Sequence, residues 1–182
     1  MRCFIAINLP KEVKDHLYET ENKLASGRFA KVKWTHKKNL HLTLKFLGEI
    51  NDSQVEIIKH KLDSIQCQMF NLKLGQIGFF PDNLKPRVIW VGVEPPAKAM
   101  ELQQEIDTAL REDFSPEQKF HAHITLGRVK FIKKRVEFME HIKNVKIKPL
   151  KFDVKSFELM ESHLRREGPG YKMLKEFPLQ DE

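Results

Sequence analysis

The sequence predicts an α+β fold built by duplication, and three observations point there. Strand-length apolar runs alternate along the chain with stretches of helical periodicity. The segments HLTLKFLG at His41 and HITLGRV at His123 echo one another 82 positions apart, each on a predicted strand. Helical and extended segments surround both, so two copies of one unit are expected to meet face to face. With 182 residues and 41% apolar content, residues 1–182 are read as a single domain with one shared core.

Cys3 to Leu9 is β-rich and apolar, and Pro10 opens a helical stretch from about Lys11 to Leu24. A short strand at Val32 to Trp34 leads through a basic turn to a second at His41 to Leu47, closed by Gly48. Asn51-Asp52-Ser53 caps the next helix, whose Val55, Ile58 and Leu62 recur at helical spacing. Extended segments follow at Phe70 to Phe79 and Arg87 to Val93, separated by Pro81-Asp82-Asn83. Pro95-Pro96 introduces a helix from about Lys98 to Arg111, and another strand runs from near His121 to near Val129. The remainder reads as a short basic segment and then strands at Val145 to Val154, Ser156 to Leu164 and Tyr171 to Pro178. Gly168-Pro169-Gly170 stands between the last two.

A formal charge of +7 suits a polyanionic partner, although a lysine-rich soluble surface gives the same number. Two cysteines, Cys3 and Cys67, are too few for a disulfide framework or a Cys-based zinc site, so a reducing cytoplasm is the expected location. The opening MRCFIAINLP has too short an apolar run for a signal-peptide core. No run of about eighteen apolar residues suggests a membrane span.

Side chains two apart on a strand share a face. His41, Thr43 and Lys45 are therefore expected on one face and Leu42, Leu44 and Phe46 on the other. Likewise His121, His123 and Thr125 share a face, backed by Ala122, Ile124 and Leu126. With eight His and five Thr in the chain, roughly 0.2 His-x-Thr triplets are expected by chance, so two are a roughly 2% event. A single strand histidine is ordinarily a satisfied polar group; two matching ones call for chemistry. An imidazole titrating near neutrality serves as proton donor or acceptor, and a pair can divide those roles across one phosphorus centre. The threonine hydroxyls can hold non-bridging phosphate oxygens. Neither a metal nor a cofactor is required, and no GxxxxGK[ST] phosphate loop occurs.

These residues resemble the RNA 2′,3′-cyclic phosphodiesterases, also called 2′-5′ RNA ligases, of the two-histidine phosphoesterase superfamily. The resemblance rests on RCFIAINLP, NLHLTLKFLGEI, GFFP, PRVIWVGVE, HAHITLGRVK and a C-terminal SHL…GPGY…L pattern, with HITLGRVKF similar to archaeal members. It implies a bilobal α+β fold: two pseudo-symmetric lobes of antiparallel sheet with helices packed outside and a central cleft. It implies hydrolysis of 2′,3′-cyclic phosphate ends of RNA, tRNA fragments among them, to 2′-phosphate ends, with reverse 2′-5′ ligation available. A monomeric chain is expected. By position, His41 would be the general acid and His123 the general base, with Thr43 and Thr125 holding phosphate. Arg128 would contact substrate, yet strict alternation sets it opposite His123 unless Gly127 permits a bulge.

Lesser candidates are Phe79-Phe80-Pro81 for base stacking, His121 for orienting His123 and Lys45 for charge at the cleft edge, each with an ordinary packing or surface alternative. His36, His60, His141 and His163 have no partner at useful spacing. Two rival readings remain at this level: a metalloenzyme ligated by His41, His121 and His123, and an RNA-binding protein without chemistry.

Overall fold

Five consecutive residues of Arg2–Asn8 (β1), Cys3 to Ile7, are buried, so this strand is covered on both faces rather than one. The computed structural model describes residues 1–181. After β1 come α1 (Lys11–Ala25), β2 (Ala30–Trp34), β3 (His41–Glu49), α2 (Asp52–Asp63), β4 (Phe70–Phe80), β5 (Val88–Glu94), α3 (Pro96–Leu110), β6 (His123–Ile132), α4 (Arg135–Asn144), β7 (Lys151–Val154), β8 (Ser156–Arg165) and β9 (Gly168–Pro178). Pro10 and Pro95 occupy the N-caps of α1 and α3, where a missing N–H costs nothing. Asn51 caps α2 in a reciprocal box with Gln54, both bonds being 2.9 Å.

Two segments depart from the expectation. The basic stretch after β6 contains α4, whose two buried apolar residues, Phe138 and Ile142, are too few to make a visible period. Residues 145–150 are not a strand, and β7 is confined to Lys151–Val154.

Among the described residues nine strands form one sheet in the order β7-β4-β5-β6-β3-β1-β8-β9, with β2 paired to the later part of β6, beyond its contact with β3. The order is symmetric about the β6–β3 junction, and that junction is the antiparallel pair Leu42↔Ile124. These two residues occupy the same place in the two sequence echoes, so the duplication is realised as a local two-fold axis. Ile5, Ile7, Leu42, Leu44, Ile89, Val91, Ile124 and Leu126, all at most 1% exposed, form the core beneath it. β4 follows the first histidine in sequence but pairs with β5, while β8 pairs with β1 on the far side. No helix among the described residues is long and apolar enough to cross a membrane.

Candidate active site

Antiparallel pairing of Leu42 with Ile124 sets His41 beside Thr125 and Thr43 beside His123, so the motifs alternate across the axis. Both histidines are the first residues of their strands, and both are oriented alike. His41 Nδ1 lies 2.6 Å from the Asn39 carbonyl, and His123 Nδ1 lies 2.6 Å from the His121 carbonyl. A carbonyl only accepts, so each Nδ1 carries a proton and each Nε2 is the atom left to exchange one. On the first side, Thr43 Oγ1 is 2.7 Å from His41 Nε2: the hydroxyl donates to the neutral ring and accepts from the protonated one.

The surroundings of the rings come from elements distant in sequence. Tyr171 on β9 meets the His41 ring edge-on at 5.4 Å between centroids, and Phe4 on β1 lies 5.0 Å away. The carbonyl that orients His41 is itself secured, because the Asn39 carboxamide donates to the Pro169 carbonyl at 2.7 Å. On the second side, Phe80 meets His123 edge-on at 4.8 Å and Trp90 at 6.1 Å. Both aromatic rings also touch His121, which keeps an exposed position beside the cleft. Phe80 therefore belongs to the wall of the His123 half rather than to a free loop.

Burial pulls the pKa of both imidazoles below the usual value. For His41 the charges of Lys14 and His123 add to burial, and for His123 those of His121 and Arg128; the bonds to the carbonyls oppose the trend. Each histidine is thus biased toward the neutral form until an anion arrives. Burial also raises the Tyr171 phenol, and Arg128 draws it back, so the charge of Arg128 reaches both walls of the cleft.

Arg128 attains that position through a bulge. Ile89 pairs with Gly127 but Trp90 with Thr125, so one residue of β6 goes unmatched and the alternation is reset. Arg128 is exposed on the side of His123 and Thr125, while Val129 turns inward. Gly127 is required there because an added Cβ would fall 2.7 Å from Val32 Cγ1 and 2.9 Å from Trp34 Cε3. The same shift recurs in β3, where Ile5 pairs with Lys45 and Ala6 with Thr43. It corrects the expectation for Lys45: the side chain is 2% exposed, bonded to Asp107 and directed away from the cleft, and Phe46 takes the place equivalent to Arg128.

A pocket of about 190 Å³ adjoins His41 and is lined by Asn8, Lys14, Lys38, Glu158, Arg165 and Tyr171 among others. None of these neighbours was legible in the two motifs. Among the described residues no group of three or more His, Cys, Asp or Glu side chains converges as a metal-ligand set.

The model of the LigT-like phosphoesterases matches the chain twice, over residues 7–90 and 91–171. The chain belongs to the LigT-like phosphoesterase family. Each match contains one His-x-Thr motif, as the two-fold axis requires. The chain is 36% identical over 179 residues to an RNA 2′,3′-cyclic phosphodiesterase of Thermotoga maritima, covering 97% of this chain and 94% of that protein. It is 34% identical to the protein of the same name from the archaeon Methanocaldococcus jannaschii, over 97% and 100% of the two chains. Its fold matches the crystal structure of a Thermus thermophilus protein, TT0787, with a TM-score of 0.84, at 28% identity and full coverage of both. As a LigT-like phosphoesterase the chain is α+β, as its sequence predicted.

Proposed function

We propose that this chain hydrolyses the 2′,3′-cyclic phosphate end of RNA to a 2′-phosphate, with His41 as general acid and His123 as general base. The observation that carries this reading is the matching orientation of the two imidazoles, each with Nδ1–H fixed on a carbonyl and Nε2 left to exchange a proton, on strands that meet at Leu42 and Ile124. The relatives in Thermotoga and Methanocaldococcus, named RNA 2′,3′-cyclic phosphodiesterases, support the substrate class.

The phosphate sits between the rings, its non-bridging oxygens held by the hydroxyls of Thr43 and Thr125 and the guanidinium of Arg128. His123 Nε2 takes a proton from water as the water oxygen forms a bond to phosphorus. The bond from phosphorus to O3′ breaks in line, and His41 Nε2–H delivers its proton to that oxygen. The products are a 3′-hydroxyl and a 2′-phosphate. A proton then passes through solvent from His123 to His41 to reset the pair. With an RNA 5′-hydroxyl in place of water as the in-line nucleophile, the same step expels O3′ and forms a 2′-5′ linkage. Because one chain supplies both histidines, a monomer is sufficient, and the free thiols of Cys3 and Cys67 suit the cytoplasm.

The test is turnover of a 2′,3′-cyclic nucleotide by the wild type, His41→Ala and His123→Ala in excess chelator, with the phosphate position in the product assigned by NMR. The expected result is a 2′-phosphate from the wild type and loss of turnover in both variants. Equal behaviour of all three proteins overturns the catalytic reading in favour of RNA binding alone. Loss of wild-type activity on chelation favours a metal-dependent reaction, and a 3′-phosphate product reverses which oxygen is protonated.

A further inference from the structure

Beyond the cleft, the 190 Å³ pocket beside His41 adjoins a second and larger hollow of about 740 Å³, the two sharing Lys14 and Lys38 in their walls. Lys11, Lys14 and Tyr18 line it from one face of α1, since residues three and four apart on a helix are neighbours. His36, Lys37 and Lys38 line it from the turn before β3. Four lysines gather in this region: Asp15 binds Lys11 at 2.8 Å and also binds Lys37, while Glu158 shares the smaller pocket with Lys14 and Lys38. Lys14 Nζ donates to the Lys38 carbonyl at 3.2 Å, which ties the helix to the turn at the boundary between the hollows. Tyr18 is 43% exposed, and Lys37 lies over its ring at 5.7 Å from the centroid.

A lysine-lined hollow beside a half-exposed aromatic ring is the chemistry that receives single-stranded nucleic acid, through phosphate attraction and base stacking. The position matters as much as the composition. The hollow shares two lysines with the pocket that contains His41 and none of the residues of the His123 wall.

We propose that this ledge binds the single-stranded RNA segment preceding the terminal nucleotide, with a base stacked on Tyr18 and backbone phosphates on Lys11 and its neighbours. The proposal rests on the RNA-end reading above. It makes the protein a better enzyme for an oligoribonucleotide than for a cyclic mononucleotide, which fills the cleft without reaching Tyr18.

The experiment compares the wild type with Lys11→Glu/Tyr18→Ala, neither residue lying against His41 or His123. Two substrates are used, a 2′,3′-cyclic mononucleotide and a hexaribonucleotide ending in the same cyclic phosphate. The double variant is expected to keep kcat/KM on the mononucleotide within about twofold and to lose about tenfold or more on the hexamer, the equivalent of one stacked base. Tyr18→Phe, which retains the ring, is expected to behave as wild type. Equal losses on both substrates, or none on the hexamer, overturn the ledge. A second arm needs no turnover: fluorescence anisotropy of a 5′-labelled hexaribonucleotide bearing a 2′-phosphate. Weaker binding by the double variant, with a shallower salt dependence, supports the ledge even if the wild type hydrolyses neither substrate, a result that would defeat the catalytic reading alone. Unchanged binding overturns it.

Discussion

Replacing Lys45 with methionine separates the buried face of β3 from the face that carries His41 and Thr43. The ammonium lies 2.6 Å from Asp107 Oδ1 and 2.8 Å from the Ser115 carbonyl. Asp107 also accepts from Gln103 Nε2 at 2.8 Å and from the Glu117 N–H at 2.9 Å. Lys45→Met keeps the apolar stem and leaves this carboxylate in the interior without its counter-charge. Breaking such a pair costs about 3–5 kcal/mol. In a chain of this size each kcal/mol lowers Tm by about 2–4 °C, so a fall of roughly 10 °C is expected by calorimetry. Lys45→Met/Asp107→Leu should recover much of it, because the orphaned charge is gone. Burial pushes the Asp107 pKa up, but the bonds from Lys45, the Glu117 N–H and Gln103 outweigh it and hold the group below the ordinary 3.8. Its stabilisation is therefore present above pH 3.8 and is lost as the pH falls through the lower folded-state value, so wild type and variant should converge in acid. Turnover measured below both melting transitions should stay within a few-fold of wild type. An unchanged Tm with lost turnover would refute the reasoning and return Lys45 to the cleft.

Four further outcomes follow from named contacts. Glu21 is 2% exposed, its Oε1 has no hydrogen-bond partner among the described residues, and burial pushes its pKa up to about 8. Stability from the protonated form is complete below the unfolded value and declines until the pH passes about 8, so Glu21→Gln should raise Tm more at pH 9 than at pH 5; a pH-independent effect would contradict this. The pH profile of kcat/KM should be bell-shaped, with its alkaline limb at lower pH than that of kcat, because burial disfavours both imidazolium ions until bound phosphate raises them; coincident limbs would count against it. Thr43→Ala and Thr125→Ala should each lower kcat on the order of 10²-fold with unchanged circular dichroism, the effect of one oxyanion donor. Gly127→Ala should cost about 1–3 kcal/mol by overpacking against Val32 and Trp34 and should reduce turnover by displacing Arg128, both readable from denaturation and kinetics on one sample.

Much of the site was legible because strand alternation is local. His41 and Thr43 needed only their own spacing, as did His123 and Thr125. The alternation failed beyond one point in each motif strand, and for one cause. A bulge removes the period of two, so Lys45 went to the interior and Arg128 to the cleft. Gly127 announced the second bulge by its missing side chain, whereas nothing in Leu44-Lys45 announced the first. Tyr171, Phe80 and Lys14 were beyond reach as companions of the histidines, since contacts between distant elements leave no periodic trace. The helix α4 was missed for want of apolar residues, and its two buried ones are held by tertiary packing rather than by a recognisable stripe.

The exchange of β4 and β8 across the two-fold axis bears on how the chain reaches this state during synthesis. β1 is made first, and β3 soon supplies one of its neighbours, but its other edge waits for β8, with Arg2 opposite Ser162. Until then an apolar strand carries a row of open backbone groups, a template for wrong partners. The amino-terminal repeat emerging alone from a ribosome therefore cannot complete the lobe it begins. The first strand translated is finished by nearly the last, and the wall holding Tyr171 against His41 arrives with it.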